Sequence, residues 1–327
     1  MEVTVDATRT RRSLCDARVL VTGSSGFIGQ HLCHRLHAEG AHLVLLQREP
    51  RAVPWPNARC VHAHSTERAD IAATLRQTQP DIVFHLAGFV SGDRSREAVV
   101  RAFDANVMGS ANILLTCLTQ LPHARVIFTS SLEASNPLRD TASTGSAYGI
   151  SKLMVEVLSG TLHELYSSPM FTARLGMVYG PGDANSCRLV PAVIRAFLNR
   201  ETPHLSSGRR RSDWVYIDDV VAGLVAMASA TDLRQAALDL ASGELHSVRE
   251  VAELIASLMA VSADLPIDFD ASLDRPHEQE RVADMATTRQ LLQLGAATDL
   301  RTGLARTIEA YRADCLRPSS PRRSERP

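Results

Sequence analysis

The sequence predicts an α/β fold, a doubly wound parallel sheet followed by a smaller C-terminal α/β substrate lobe. Three observations predict it. Short apolar runs alternate with helical patterns up to about residue 180, a glycine-rich turn follows the first run, and the pattern loosens after Pro181. Alternation of this kind gives parallel strands joined by right-handed helical crossovers, with helices on both faces of the sheet. At 327 residues and 45% hydrophobic content, the chain can bury one large core and a second, smaller one.

Arg18-Val19-Leu20-Val21 reads as a buried parallel strand. It runs into Thr22-Gly23-Ser24-Ser25-Gly26-Phe27-Ile28-Gly29, after which Ile28, Leu32 and Leu36 recur at helical spacing. The glycines therefore lie where a strand becomes a helix. There Gly23 can take a tight turn, Gly26 lets backbone N–H groups approach a pyrophosphate, and Gly29 allows close helix–strand packing. Ser25, Phe27 and Ile28 complete this Rossmann-like cradle, whose spacing differs by one residue from G-x-G-x-x-G. Further strands are expected at 43–46, 59–62, 82–85, 126–129 and 171–175, separated by helices.

These elements predict a dinucleotide-binding domain over 16–185, to which 214–245 return. Residues 186–213 and 246–313 read as the substrate lobe. Residues 1–15 and the polar, proline-rich 314–327 read as flexible tails.

A formal net charge of −1 gives no global pull toward nucleic acid or membrane. No apolar run approaches the roughly 18 residues that span a bilayer. Arg11-Arg12 leads straight to the first strand without the apolar region of an export signal. Cys15, Cys33, Cys60, Cys117, Cys187 and Cys315 lack metal-ligand spacing. They suit a reducing cytoplasm, and no metal site is expected.

Tyr148 and Lys152 lie four residues apart, so on a helix the phenol and the ammonium share a face. A free tyrosine, with a pKa of about 10, is a poor acid or base near neutrality. An ammonium about 4 Å away lowers that value by at most about three units, allowing proton exchange at cellular pH. Ser131, which follows the strand Val126-Ile127-Phe128, supplies a hydroxyl to hold a substrate oxygen.

Taken in order, several segments resemble the extended short-chain dehydrogenase/reductase family of nucleotide-sugar epimerases, dehydratases and reductases. They are the glycine loop, Asp81 through Gly88, Asn106-Val107-Met108-Gly109, Phe128-Thr129-Ser130-Ser131, Tyr148 through Lys152, Val178-Tyr179-Gly180-Pro181-Gly182, and Trp214 through Val220. The resemblance implies that Ser131 is the catalytic hydroxyl and Tyr148 the general acid/base. Lys152 would lower the tyrosine pKa and bind the nicotinamide ribose. Leu86, Ala87 and Asn106 fall in segments that contact the cofactor. Tyr179 falls in the loop beside the sugar, and Val190 in the segment approaching the base. Arg211, or its neighbours Arg209 and Arg210, falls where the family binds the nucleotide diphosphate. Arg275 and Glu278 match a later segment that binds phosphate and ribose. A homodimer through helices at 98–118 and 148–165 is implied as well.

The cofactor is decided near the end of the second strand. An acid there normally binds the ribose 2′-hydroxyl of NAD. Here Arg48 takes that place, and a guanidinium binds a 2′-phosphate, so NADP is expected, with NAD the alternative. Where the family often carries Asp after the third strand to contact adenine, this chain has His64. The expected activity is NADPH-dependent reduction of a nucleotide-linked 4-keto-sugar. The alternatives are a UDP-hexose-type 4-epimerase with bound NAD, a dehydratase, a small-ketone reductase and a non-catalytic NADP-binding sensor. Glu133, two residues after Ser131, has the spacing of the dehydratase base. Its neighbours Leu132 and Ala134-Ser135-Asn136 depart from the dehydratase pattern, and the loop between Ser131 and Tyr148 is short for the family.

Overall fold

Val19, Leu20 and Val21 become the central strand β1 (Arg18–Thr22), fully buried between two helical layers. The computed structural model describes residues 11–49, 52–93, 95–134, 146–274 and 280–316. After β1 come α1 (Phe27–Ala38), β2 (His42–Gln47), β3 (Arg59–His62), α2 (Arg68–Thr78) and β4 (Ile82–His85). Helix α3 (Arg96–Ala102) passes through a π-turn, Phe103–Met108, into α4 (Gly109–Gln120). β5 (Arg125–Ser131), α5 (Ala147–Tyr166) and β6 (Met170–Leu175) complete the alternating part.

The second part contains β7 (Met177–Tyr179), α6 (Leu189–Leu198), β8 (His204–Ser206), β9 (Arg211–Tyr216) and α7 (Ile217–Ser229). β10 (Ala237–Leu240), β11 (Leu245–Ser247), α8 (Val248–Met259), β12 (Asp268–Asp270), α9 (Met285–Leu292) and α10 (Leu300–Leu316) follow.

Seven strands form one sheet in the order β10-β6-β5-β4-β1-β2-β3, every pairing parallel. Strand order reverses between β1 and β4, where Thr22 pairs with His85. Chains leave these two strands toward opposite sides and open a crevice at their C-terminal ends. Alternation along β1 divides the core. Val19 and Val21 join Leu32 and Leu36 of α1 and Val220 and Leu224 of α7. Leu20 points the other way, to Ile71 of α2, Ile113 of α4 and Val155 of α5.

The smaller lobe is built on the sheet β11-β9-β7 and the parallel pair β8 and β12, with α6, α8 and α10 packed together. Helix α7 packs into the core beneath β1, and β10 extends the main sheet beside β6. Asp213 of β9 pins the following turn: buried, its carboxylate accepts from the N–H groups of Ser242, Gly243 and Ala283 and from the Ser242 hydroxyl.

The expected tail boundaries at residues 15 and 314 fall within described structure. Leu14 is buried, Arg12 N–H donates to Ser229 O at 2.7 Å, and the Arg11 guanidinium donates to Leu292 O at 2.6 Å. Residues 11–15 are held because they satisfy carbonyls at the ends of α7 and α9. At the other end, α10 runs to Leu316. No helix among the described residues is long and apolar enough to cross a membrane.

Candidate active site

The crevice floor is the turn from β1 into α1. Gly23 has φ +71°, and a Cβ there would lie 2.7 Å from Ala87 N, so only glycine permits this approach to the chain leaving β4. A Cβ on Gly29 would lie 2.1 Å from Gly23 O, so helix and turn touch backbone to backbone. Helix α1 starts after Gly26 with no side-chain cap and no acid in its first turn. Its first N–H groups and the positive end of its dipole are open to an anion. Ser24 Oγ is buried here without a hydrogen-bond partner. Glycine contacts, uncapped helix and orphan hydroxyl fit the diphosphate of a dinucleotide.

Beside the turn, the buried Thr22 Oγ1 accepts from Ala87 N–H at 3.1 Å and shares a 2.7 Å hydrogen bond with His85 Nδ1. His85 Nε2 bonds Ser110 Oγ of α4 at 2.9 Å. Burial, and then the Lys152 charge, push the imidazole down to about 3, so it stays neutral. This network ties the ends of β1 and β4 to α4 and fixes the Leu86-Ala87 turn.

Tyr148 and Lys152 sit at the start of α5, whose N-cap Ser146 accepts from Gly149 N–H. Lys152 is buried, its ammonium donating to Thr129 O at 2.9 Å and lying 4.9 Å from the Phe128 ring centre and 5.9 Å from that of Tyr148. Burial lowers its pKa from 10.5 to about 8. Tyr148 is half-buried, and its phenol rises well above 10 because of burial first and the Glu133 carboxylate second. The hydrogen bond with Ser131 and the Arg188 guanidinium oppose that rise. This corrects the expectation that Lys152 lowers the tyrosine pKa: the ammonium is engaged by Thr129 O, and desolvation dominates. Ser131 Oγ also accepts from Glu133 N–H at 3.1 Å.

A half-buried Tyr and a buried Lys on one helical face, a serine at the adjoining strand end and a dinucleotide cradle across the crevice can serve hydride and proton transfer. Residues 19–238 match the NAD dependent epimerase/dehydratase family. The chain belongs to this family. It is therefore an NAD(P)-dependent enzyme.

Among curated family relatives, dTDP-4-dehydro-6-deoxy-D-allose reductase of Streptomyces sp is 25% identical, over 90% of this chain and 96% of that protein. UDP-glucose 4-epimerase of Mycolicibacterium smegmatis is 28% identical over 90% and 98%. The solved structure of MoeE5 in complex with UDP-glucose and NAD is 27% identical with a TM-score of 0.78, covering 91% of this chain and 99% of that one.

The structure gathers the residues Gly23, Ser25, Gly26, Phe27, Ile28, Gly29, Leu86 and Ala87 at the crevice, and Ser131, Tyr148 and Lys152 beside it. β2 ends on the buried Gln47, and Arg48 is the first residue beyond, exposed to solvent.

Three expectations are corrected. Asn106 is fully buried in the π-turn, and its amide is taken by Phe89 N–H (2.7 Å), Phe89 O (3.0 Å) and Ser151 Oγ (2.9 Å), so it acts behind the site rather than on a cofactor. Tyr179 is 1% exposed, tilted against Tyr216 at 5.8 Å, with its hydroxyl on Leu300 O. Val190 is 2% exposed in the first turn of α6. Both are core residues, because the loop they flank is anchored on the small lobe.

Arg211 is exposed at the start of β9, its guanidinium donating to Leu245 O at 3.2 Å and lying 4.0 Å from Glu280. Glu133 is exposed, and Arg275 and Glu278 lie outside the described residues.

Arg188 escaped the sequence reading. It donates to Val178 O (2.7 Å) and Asp183 (3.0 Å) and stands 6.0 Å from the Phe27 ring centre. No spacing marks it, because it is the last residue before an apolar helix. A groove of about 690 Å³ lies on the side of α5 that carries Glu156 and Gly160, with Arg174 and Asp239 opposite. Glu156 and Gly160 continue, at four-residue spacing, the row of Tyr148 and Lys152, so the groove runs along α5 from the site, with Leu132 next to Ser131 in its lining.

Proposed function

We propose that the protein is an NADPH-dependent reductase of a nucleotide-linked 4-keto-sugar. The observation that carries this reading is the end of β2, where Gln47 and Arg48 stand and neither is the acid that would hold the 2′-hydroxyl of NAD. The Streptomyces reductase, similar over nearly its whole length, supports the same substrate class.

The glycine turn and the start of α1 would hold the diphosphate, Arg48 the 2′-phosphate and Lys152 the nicotinamide ribose. When bound, the nicotinamide supplies the hydride. Tyr148, kept protonated by burial and by Glu133, donates its proton to the carbonyl oxygen. Ser131 holds that oxygen through its hydroxyl. Lys152, braced by Thr129 O, fixes the ribose so that the nicotinamide faces the phenol. The substrate nucleotide lies against the small lobe, with Arg209 to Arg211 supplying the cation for its diphosphate.

The mycobacterial relative supports a second reading, a UDP-hexose-type 4-epimerase with retained NAD. One experiment separates the two. Purified protein is analysed for released nucleotide by mass spectrometry, then assayed for NADPH oxidation with nucleotide 4-keto-6-deoxy-sugars. NADPH oxidation by protein free of nucleotide supports the reductase. Retained NAD and interconversion of two nucleotide sugars without added cofactor replace it with the epimerase.

The functional unit we propose is a homodimer through residues 98–118 and 148–165. On these helices Val100, Met108, Met154, Val157 and Leu165 are between 42% and 69% exposed, an apolar surface suited to a second copy.

A further inference from the structure

The loop after β3 brings a second polar group to the adenosine end of the crevice. The last pair of the β2–β3 ladder, Gln47 with His62, is closed by Ala63 N–H donating to Gln47 O at 3.2 Å. The register sets Arg48 beside Ala63 and Glu49 beside His64, so Arg48 and His64 stand diagonally, one residue out of step, on adjoining chains at the C-terminal edge of the sheet. A strand spacing of about 4.8 Å with a one-residue offset of about 3.3 Å puts the two backbones roughly 6 Å apart, a span that two long side chains and one phosphate group bridge. Both side chains are exposed.

The His64 backbone is held at both ends. Its N–H donates to Asp70 Oδ2 at 3.2 Å, and its carbonyl accepts from Glu67 N–H at 3.0 Å. The His62 ring meets the His64 ring edge to face at 5.5 Å. Just beyond, Asn112 Nδ2 of α4 donates to Ser65 O (3.1 Å) and Thr66 O (2.8 Å). The imidazole is thus presented by a braced loop, pre-organised for a ligand.

We propose that His64 and Arg48 together recognise the 2′-phosphate of NADP, making His64 a specificity-determining residue. This rests on the NADP reading above. The phosphate offers three acceptor oxygens. A guanidinium fork fills two of them, and an imidazole N–H donates to the third. Of the acids nearby, Asp70 already accepts from the His64 backbone, so it fixes the loop.

The test is fluorescence titration of NADPH and of NADH into wild type, Arg48→Gln, His64→Gln and His64→Asp, with 2′,5′-ADP and 5′-ADP as competitors. Wild type is expected to bind NADPH at least about tenfold tighter than NADH. His64→Gln should weaken NADPH and 2′,5′-ADP several-fold and His64→Asp further, with NADH and 5′-ADP unchanged in both. If wild type binds NADH as tightly as NADPH, the cofactor reading itself falls, and this proposal with it. If Arg48→Gln removes the preference while both His64 variants keep it, the role of His64 is overturned and the cofactor reading stands. An equal loss for both cofactors, with a lower melting temperature, makes His64 merely structural and also overturns it.

Discussion

Two residues illustrate how the site depends on single atoms. In the proposed reaction Tyr148 donates the proton, and its hydroxyl is the only part of the side chain that takes part. Tyr148→Phe should lower kcat about 100-fold or more, with NADPH affinity retained in a fluorescence titration. Loss of binding instead would mean that the phenol holds the cofactor rather than the proton. Gly29 has a purely steric role. Gly29→Ala would drive a Cβ to 2.1 Å from Gly23 O, a backbone atom that cannot swing away. The turn must open, at a cost of about 1–3 kcal/mol in urea unfolding, and cofactor binding should be lost with it.

At the scale of elements, the π-turn between α3 and α4 braces the helix that carries Tyr148 and Lys152. π-turns leave the regular hydrogen-bond ladder and gather at functional sites. Here the turn delivers the Asn106 amide, which clamps Phe89 from both sides and meets Ser151 on the catalytic helix. In Asn106→Ala the part-buried Phe89 N–H and carbonyl lose these bonds, at about 1 kcal/mol each. Denaturant unfolding should show that loss. In the same variant kcat should fall while Tyr148 and Lys152 remain in place. Asn106→Asp keeps the acceptor for Phe89 N–H and should recover part of the stability.

Across the whole molecule, stability should depend on pH through groups that the fold buries at the catalytic centre. His85 is driven from 6.5 to about 3, so between those values the unfolded chain binds a proton that the native protein does not. Stability is therefore lost as pH falls below about 6.5. His85→Gln should flatten this limb in urea titrations at pH 7 and pH 5. Lys152 acts in the same direction at higher pH: its pKa falls from 10.5 to about 8, so stability rises with pH between those values. Lys152→Met should unfold at higher urea than wild type at pH 7 while losing activity, a fold weakened for the sake of its chemistry. A gain that is absent at pH 7 would mean that Thr129 O compensates fully for the buried ammonium. At the same scale, light scattering should give twice the chain mass, and Met154→Glu with Val157→Glu should give one.

The sequence by itself determined the alternation of six strands with helices, the glycine turn and the spacing of Ser131, Tyr148 and Lys152. These depend on local periodicity and on short spacings such as one helical turn, which are written in consecutive residues. It also placed an arginine where an acid normally binds NAD. Tertiary structure alone decided which residues of those motifs face the crevice. Tyr179, Val190 and Asn106 stand in motif segments, yet packing against Tyr216, the neighbours of α6 and the Phe89 backbone turns them inward. It also brought Arg188 near the phenol and linked His85 to Thr22 across 63 positions. Proton affinity belongs with these long-range results. The spacing of Tyr148 and Lys152 predicts a lowered tyrosine pKa, but burial and the distant Glu133 reverse it, because desolvation depends on everything packed around a group and not on its neighbours in the chain.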